Sequence, residues 1–193
     1  MINDDDELIQ VVQDVSSGLQ EIQDYVGTRP EAMAKVRFPR GYIRTARHHR
    51  IDLWFLDEAD RRNISYSRQS IDILRWIANR TDLDGPAKKL LNRIAIVMQG
   101  SIAEVLALKG TAGTIGRTVK FRTRLRRMHE DFGIIDQALR RDLGWLWEQR
   151  NSIHLDRVTG PHIELFDVRD VNRANRVVRH LVDRLSGWHD EDV

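Results

Sequence analysis

Leu8, Val11, Val12, Val15, Leu19, Ile22 and Val26 recur at intervals of three and four residues, with acids on the opposite face and at the N-terminal end. This is the period of an amphipathic α-helix, and acids near the start of a helix suit its dipole. The spacing predicts a first helix over Asp4–Val26. Periodicity lapses around Pro30 and Pro39, a residue type found where helices begin or loops run. A second helix is expected from Tyr42 to Asp60, on Ile43, Ile51, Trp54 and Phe55, and a third from Ser67 to Arg80. The cluster Asp82, Asp84, Gly85, Pro86 reads as a loop, with Asp84 placed to cap the next helix.

The strongest pattern runs from Pro86 to Leu108, where Leu90, Leu91, Ile94, Val97, Met98, Ile102, Val105 and Leu106 surround a small pair, Gly100 and Ser101. This helix is expected to be central and buried, with the small pair permitting close helix contact. Gly110, Gly113 and Gly116 then make a connector, either a helix stop with a surface turn or a mobile loop. Helical periodicity returns over Arg117–Asp131, Ile134–Leu155 and Val168–Gly187. Strand-like alternation is confined to a weak run from His162 to Phe166. The expected fold is all-α, an antiparallel bundle of about seven helices joined by short connections.

At 193 residues the chain has the length of one sizeable domain, so residues 1–193 are expected to form a single helical domain. Its 41% hydrophobic and 31% charged residues describe a globular chain and not a disordered one. Cysteine is absent, which excludes disulfides and thiolate metal sites and fits the cytoplasm. The N-terminus is acidic where a signal peptide is basic, and no long uninterrupted apolar run occurs, so neither secretion nor a membrane is expected.

Charge alters this picture more than composition does. Residues 1–28 carry seven acids and no Lys or Arg, and residues 190–193 carry three acids. The remaining body has 31 Lys and Arg against 19 Asp and Glu, a net charge of +12. A basic body with acidic ends suits a polyanion such as a nucleic acid, the alternative being an arginine-rich composition without such a partner. Arg117, Lys120, Arg122, Arg124, Arg126 and Arg127 concentrate that charge, with Val119, Phe121 and Leu125 between them. The run reads either as a stripe of phosphate contacts, giving sequence-independent and salt-sensitive affinity, or as a solvated basic face.

Several chemistries are not expected. His48 and His49 are adjacent and so face different sides of a helix; among Arg44, Arg47 and Arg50 they read as a basic surface patch, not as metal ligands. Gly110–Gly116 lacks the Lys and preceding strand of a phosphate loop. No glycine-flanked nucleophile elbow occurs, and the region Ser67–Arg80 lacks a helix-turn-helix signature for reading DNA. No metal or cofactor is expected.

What remains is Arg150-Asn151-Ser-Ile-His154, after Trp145-Leu-Trp147. If the helix continues to Leu155, Arg150 and His154 share one face. Cleavage of RNA by its own 2′-hydroxyl needs a base, an acid and positive charge on the developing phosphorane. An imidazole exchanges protons near neutral pH, a guanidinium suits phosphate, and Asn151 can bond the phosphate or fix the imidazole. The plainer alternative is that Asn151 and His154 end a helix whose Trp145, Leu146 and Ile153 pack as core.

The run Phe121 to Met128, then Gly133-Ile-Ile-Asp136, then Leu143 to Leu155, with Gly100-Ser-Ile-Ala-Glu104-Val-Leu106 upstream, resembles the HEPN domain (higher eukaryotes and prokaryotes nucleotide-binding) across residues 85–187. The resemblance implies a helical bundle that dimerises and brings two motif helices to one cleft. It also implies metal-independent endoribonuclease activity of the toxin or defence type, with an antitoxin or another protein as partner. Arg150, Asn151 and His154 take the motif positions, and Glu104 takes that of an acid orienting Arg150, the alternative being an acid paired for stability. The family's usual pattern places more residues between its Arg and His than the three found here, and one position turns a helical side chain by about 100°. Against this reading stands a non-catalytic helical module for oligomerisation or protein interaction, using Trp145, Trp147 and the acidic N-terminal helix.

Overall fold

A computed structural model of the chain describes residues 1–26, 41, 43–152 and 166–191. Among them are seven α-helices and no strand: α1 (Asp5–Val26), α2 (Ala46–Arg50), α3 (Glu58–Arg80), α4 (Gly85–Gly110), α5 (Phe121–Glu130), α6 (Gln137–Asn151) and α7 (Val168–Glu191). The all-α expectation holds. The weak alternation at 162–166 lies, apart from Phe166, outside the described residues. The chain, read above as one domain, divides into two compact units, Met1–Arg40 and Gly41–Val193.

In the first unit, Asp4 accepts the backbone N–H of Glu7 at 2.8 Å, and Asp5, Asp6 and Glu7 occupy the first turn of α1. Both features favour a helix start. The expected apolar stripe forms, but α1 buries none of its residues, and Leu8, Val12, Val15, Leu19 and Ile22 are all exposed.

In the second unit the segment expected to be one helix over Tyr42–Asp60 is divided. Thr45 caps the short α2 by accepting from His48 N–H at 3.2 Å, a 3₁₀ turn follows at Ile51–Leu53, and Asp57 then caps α3 by accepting from Asp60 N–H at 2.8 Å. The new cap moves the start of the third helix from Ser67 back to Glu58. Ile64, Ile71 and Ala78, spaced by seven, form the buried face of α3. His49 is also corrected: it is 3% exposed, not part of a surface patch, and its Nε2 lies 3.0 Å from Asp72 Oδ2. Burial holds the His49 pKa below its ordinary value despite the neighbouring carboxylate. Burial alone would raise Asp72, but the hydrogen bonds and charge of Arg44, aided by His49, hold it low.

α4 packs against α3, α5, α6 and α7. Asp84 stands at its N-cap without making the side-chain bond, and Pro86 lies in the first turn. The most buried residues of α4 include Ala95, Ile96, Ala103, Leu106 and Ala107, whereas Leu90 and Ile94 are exposed. Small side chains thus bring its neighbours close. By length and composition α4 could cross a membrane, yet half of that stretch is buried inside the bundle, as befits a core helix. Its last residue is a glycine for the same reason of space: a Cβ on Gly110 would meet Leu185 of α7 at 2.9 Å.

Candidate functional site

α6 begins where Asp136 accepts the N–H of Leu139 at 2.7 Å, a bond that, with burial opposing, holds the Asp136 carboxyl below its ordinary pKa. Leu139, Leu143 and Leu146 face the core, which turns Trp145, Trp147 and Arg150 towards half-exposed positions. Ser152 closes the helix, bonding Glu148 and Gln149 carbonyls, and Arg93 of α4 donates to the Ser152 carbonyl at 3.0 Å. Arg93 was not singled out from the sequence; a lone arginine on an apolar helix carries no pattern that marks it as the anchor of another helix's end.

Arg150 is held from several directions. A Cβ built on Gly100 would lie 2.7 Å from Arg150 Cβ and 3.2 Å from the Leu146 carbonyl oxygen, so α4 and α6 meet there at a distance only glycine allows. Arg150 Nη2 lies 3.2 Å from Glu104 Oε2, and Nη1 donates to Asn151 Oδ1 at 3.0 Å. The guanidinium carbon sits 5.0 Å from the centre of Trp147, whose ring stacks on Phe121 at 4.7 Å. The structure therefore brings Arg150, Asn151 and Glu104 together. His154 lies outside the described residues, and with it the Arg150-to-His154 relation. Arg150 and Glu104 side chains are 34% and 35% exposed, which leaves the pair reachable from solvent. A guanidinium has five N–H donors, so bonds to Glu104 and Asn151 leave donors for an incoming anion.

The basic run does not act as one stripe. Arg124 is 1% exposed and donates to Thr111 Oγ1 at 2.6 Å, the Ile115 carbonyl at 3.3 Å and the Gly116 carbonyl at 2.8 Å. This corrects its assignment as a nucleic-acid contact, and it shows the 110–116 connector to be a fastened turn. Arg122 pairs with Glu148 at 2.7 Å, Arg126 with Glu130 at 3.3 Å and Arg127 with Asp131 at 3.0 Å. Arg117 and Lys120 are exposed. Pairs exposed on a surface are worth little, typically under about 1 kcal/mol, and open readily.

Among the described residues no group of three or more acids and histidines is placed to hold a metal ion. Comparisons with protein-family models, curated proteins and solved structures find no match.

Proposed function

We propose that the chain is a HEPN-like RNA-binding protein that cleaves RNA as a homodimer, without a metal. The observation that carries this reading is Arg150, pressed against Gly100, braced by Glu104 and Asn151, and still accessible. A cation oriented in this way is suited to a phosphate whose negative charge grows during reaction. In the proposed step the 2′-hydroxyl oxygen bonds to the adjacent phosphorus, the bond to the 5′-oxygen breaks, and a 2′,3′-cyclic phosphate remains. One His154 takes the 2′-hydroxyl proton and its copy in the second subunit protonates the leaving oxygen. Arg117, Lys120 and the openable Arg122, Arg126 and Arg127 pairs supply phosphate contacts.

The test is labelled RNA incubated with the purified protein in the presence of a chelator. The parent should yield cyclic-phosphate ends, and Arg150→Ala and His154→Ala should each lower the rate by about 100-fold or more while far-ultraviolet circular dichroism is unchanged. Parental rates in either variant would remove that residue from the mechanism.

A second reading, a non-catalytic interaction module, is favoured by the acid partners of Arg122, Arg126 and Arg127 and by the uncovered apolar face of α1. It expects RNA affinity to be weak and insensitive to salt. The first reading expects a fall of orders of magnitude between low and physiological salt.

A further inference from the structure

Gln99 neighbours Gly100 on α4 but points about 100° further round the helix. It lines a cleft of about 100 Å³ together with Arg68 and Arg75 of α3 and Asn175 and Arg179 of α7, beside the His49–Asp72 pair. The acids here are already engaged. Asp72 accepts from Arg44 Nη2 at 3.0 Å and Nε at 3.2 Å as well as meeting His49, and Asp52 pairs with Arg68 at 2.9 Å. Arg75 and Arg179 have no acidic partner among the described residues. Two guanidinium charges therefore line the cleft without neutralisation.

Gln99 is only 6% exposed. Its Nε2 donates to Asn175 Oδ1, which leaves Gln99 Oε1 and Asn175 Nδ2 buried and unpartnered. Turning both amides over exchanges the atoms but still leaves one donor and one acceptor. Leaving such a pair unsatisfied is costly, and with the Arg75 and Arg179 charges lining the same cleft the site suits a small group that has negative oxygens and one proton to donate.

We propose that this cleft binds a single hydrogenphosphate group. Arg75 and Arg179 would neutralise its two charges, a guanidinium being well matched to phosphate oxygens. Asn175 donates to a phosphate oxygen, and the phosphate O–H donates to Gln99. The group is either free phosphate or the terminal phosphate of a nucleotide, where a sugar hydroxyl replaces the phosphate proton at Gln99. The inference uses none of the residues around Arg150 and stands whether or not the chain cleaves RNA.

Sulfate has the same shape and charge but no proton, so it leaves the Gln99 acceptor unpaired, and sites that bond a hydroxyl reject analogues lacking it. Isothermal titration of the full chain at neutral pH and low ionic strength, with sodium phosphate, sodium sulfate and a nucleoside 5′-monophosphate, tests the idea. Phosphate should saturate one site at least about tenfold more tightly than sulfate. Arg75→Gln combined with Arg179→Gln should weaken phosphate about tenfold or more. Gln99→Met removes the acceptor together with the Gln99–Asn175 bond; the variant, checked for folding by circular dichroism, should lose the preference over sulfate. Tighter binding of the monophosphate than of phosphate would assign the group to a nucleotide end, and the reverse order to the free ion. Absence of saturable binding by phosphate and monophosphate, equal binding of phosphate and sulfate, or undiminished binding by the double arginine variant would each overturn the proposal.

Discussion

Arg124 and Arg122 sit two positions apart in one basic run, yet their side chains do opposite things. Arg122 is exposed beside Glu148, while Arg124 threads its guanidinium into the turn after α4 and satisfies Thr111 and two carbonyls. Burial, with the Arg127 charge adding to it, draws the Arg124 pKa below its ordinary value, but a guanidinium so far above neutrality stays charged. Arg124→Met removes those donors and leaves buried acceptors behind, which should cost about 3 kcal/mol. Urea unfolding would measure that loss, and RNA affinity of the folded variant should match the parent. Arg117→Gln with Lys120→Gln should do the reverse, leaving stability intact and flattening the salt dependence of RNA binding. Spacing cannot separate these roles: a basic run predicts a solvated face by default, and only the position of the 111–116 turn shows which arginine lies beneath it.

At the scale of elements, the joint between α4 and α6 is the feature most legible beforehand, because Gly100 and Ser101 interrupt an otherwise bulky apolar pattern. Its partner is legible only through the resemblance, which sets Glu104 beside Arg150; nothing local to Gly100 says that the Arg150 side chain fills the space. Gly100→Ala must displace something 2.7 Å away, so α6 should shift and the protein should lose about 1–3 kcal/mol. Glu104 lies one turn along the same helix, so the shift also loosens its grip on Arg150. On the proposed ribonuclease reading, cleavage should therefore fall by more than the loss of folded protein explains. Gly144→Ala on α6 meets nothing within 4 Å and should instead stabilise by about 0.4–1 kcal/mol, which makes it the matched control in thermal melts. The α2–α3 boundary was misplaced for a different reason. Between Asp57 and Asn63 the sequence is almost wholly polar, which reads as a helix running out, whereas the Asp57 cap makes it a helix starting.

Over the whole molecule the decisive quantity is the distribution of charge, which the sequence shows directly. Without residues 1–28 the chain keeps 31 bases against 22 acids, and its net charge rises from +2 to +9. Residues 1–28 lie within the Met1–Arg40 unit, so their removal should leave the melting transition of the Gly41–Val193 unit in place. The electrostatic consequence should be large by comparison. A polyanion feels the field of the entire protein at low ionic strength, where the screening length reaches about 30 Å, and far less of it at physiological salt, where the length is about 8 Å. Fluorescence anisotropy with labelled RNA should therefore show the truncated chain binding more tightly than the parent at low salt, with the two curves converging as salt rises. If the interaction-module reading holds instead, the uncovered stripe of Leu8, Val12, Val15, Leu19 and Ile22 is the part that matters. Truncation would then leave RNA binding unchanged at every salt concentration and abolish self-association in sedimentation. One deletion, read by anisotropy and sedimentation together, thus separates a protein organised around its basic body from one organised around its acidic helix.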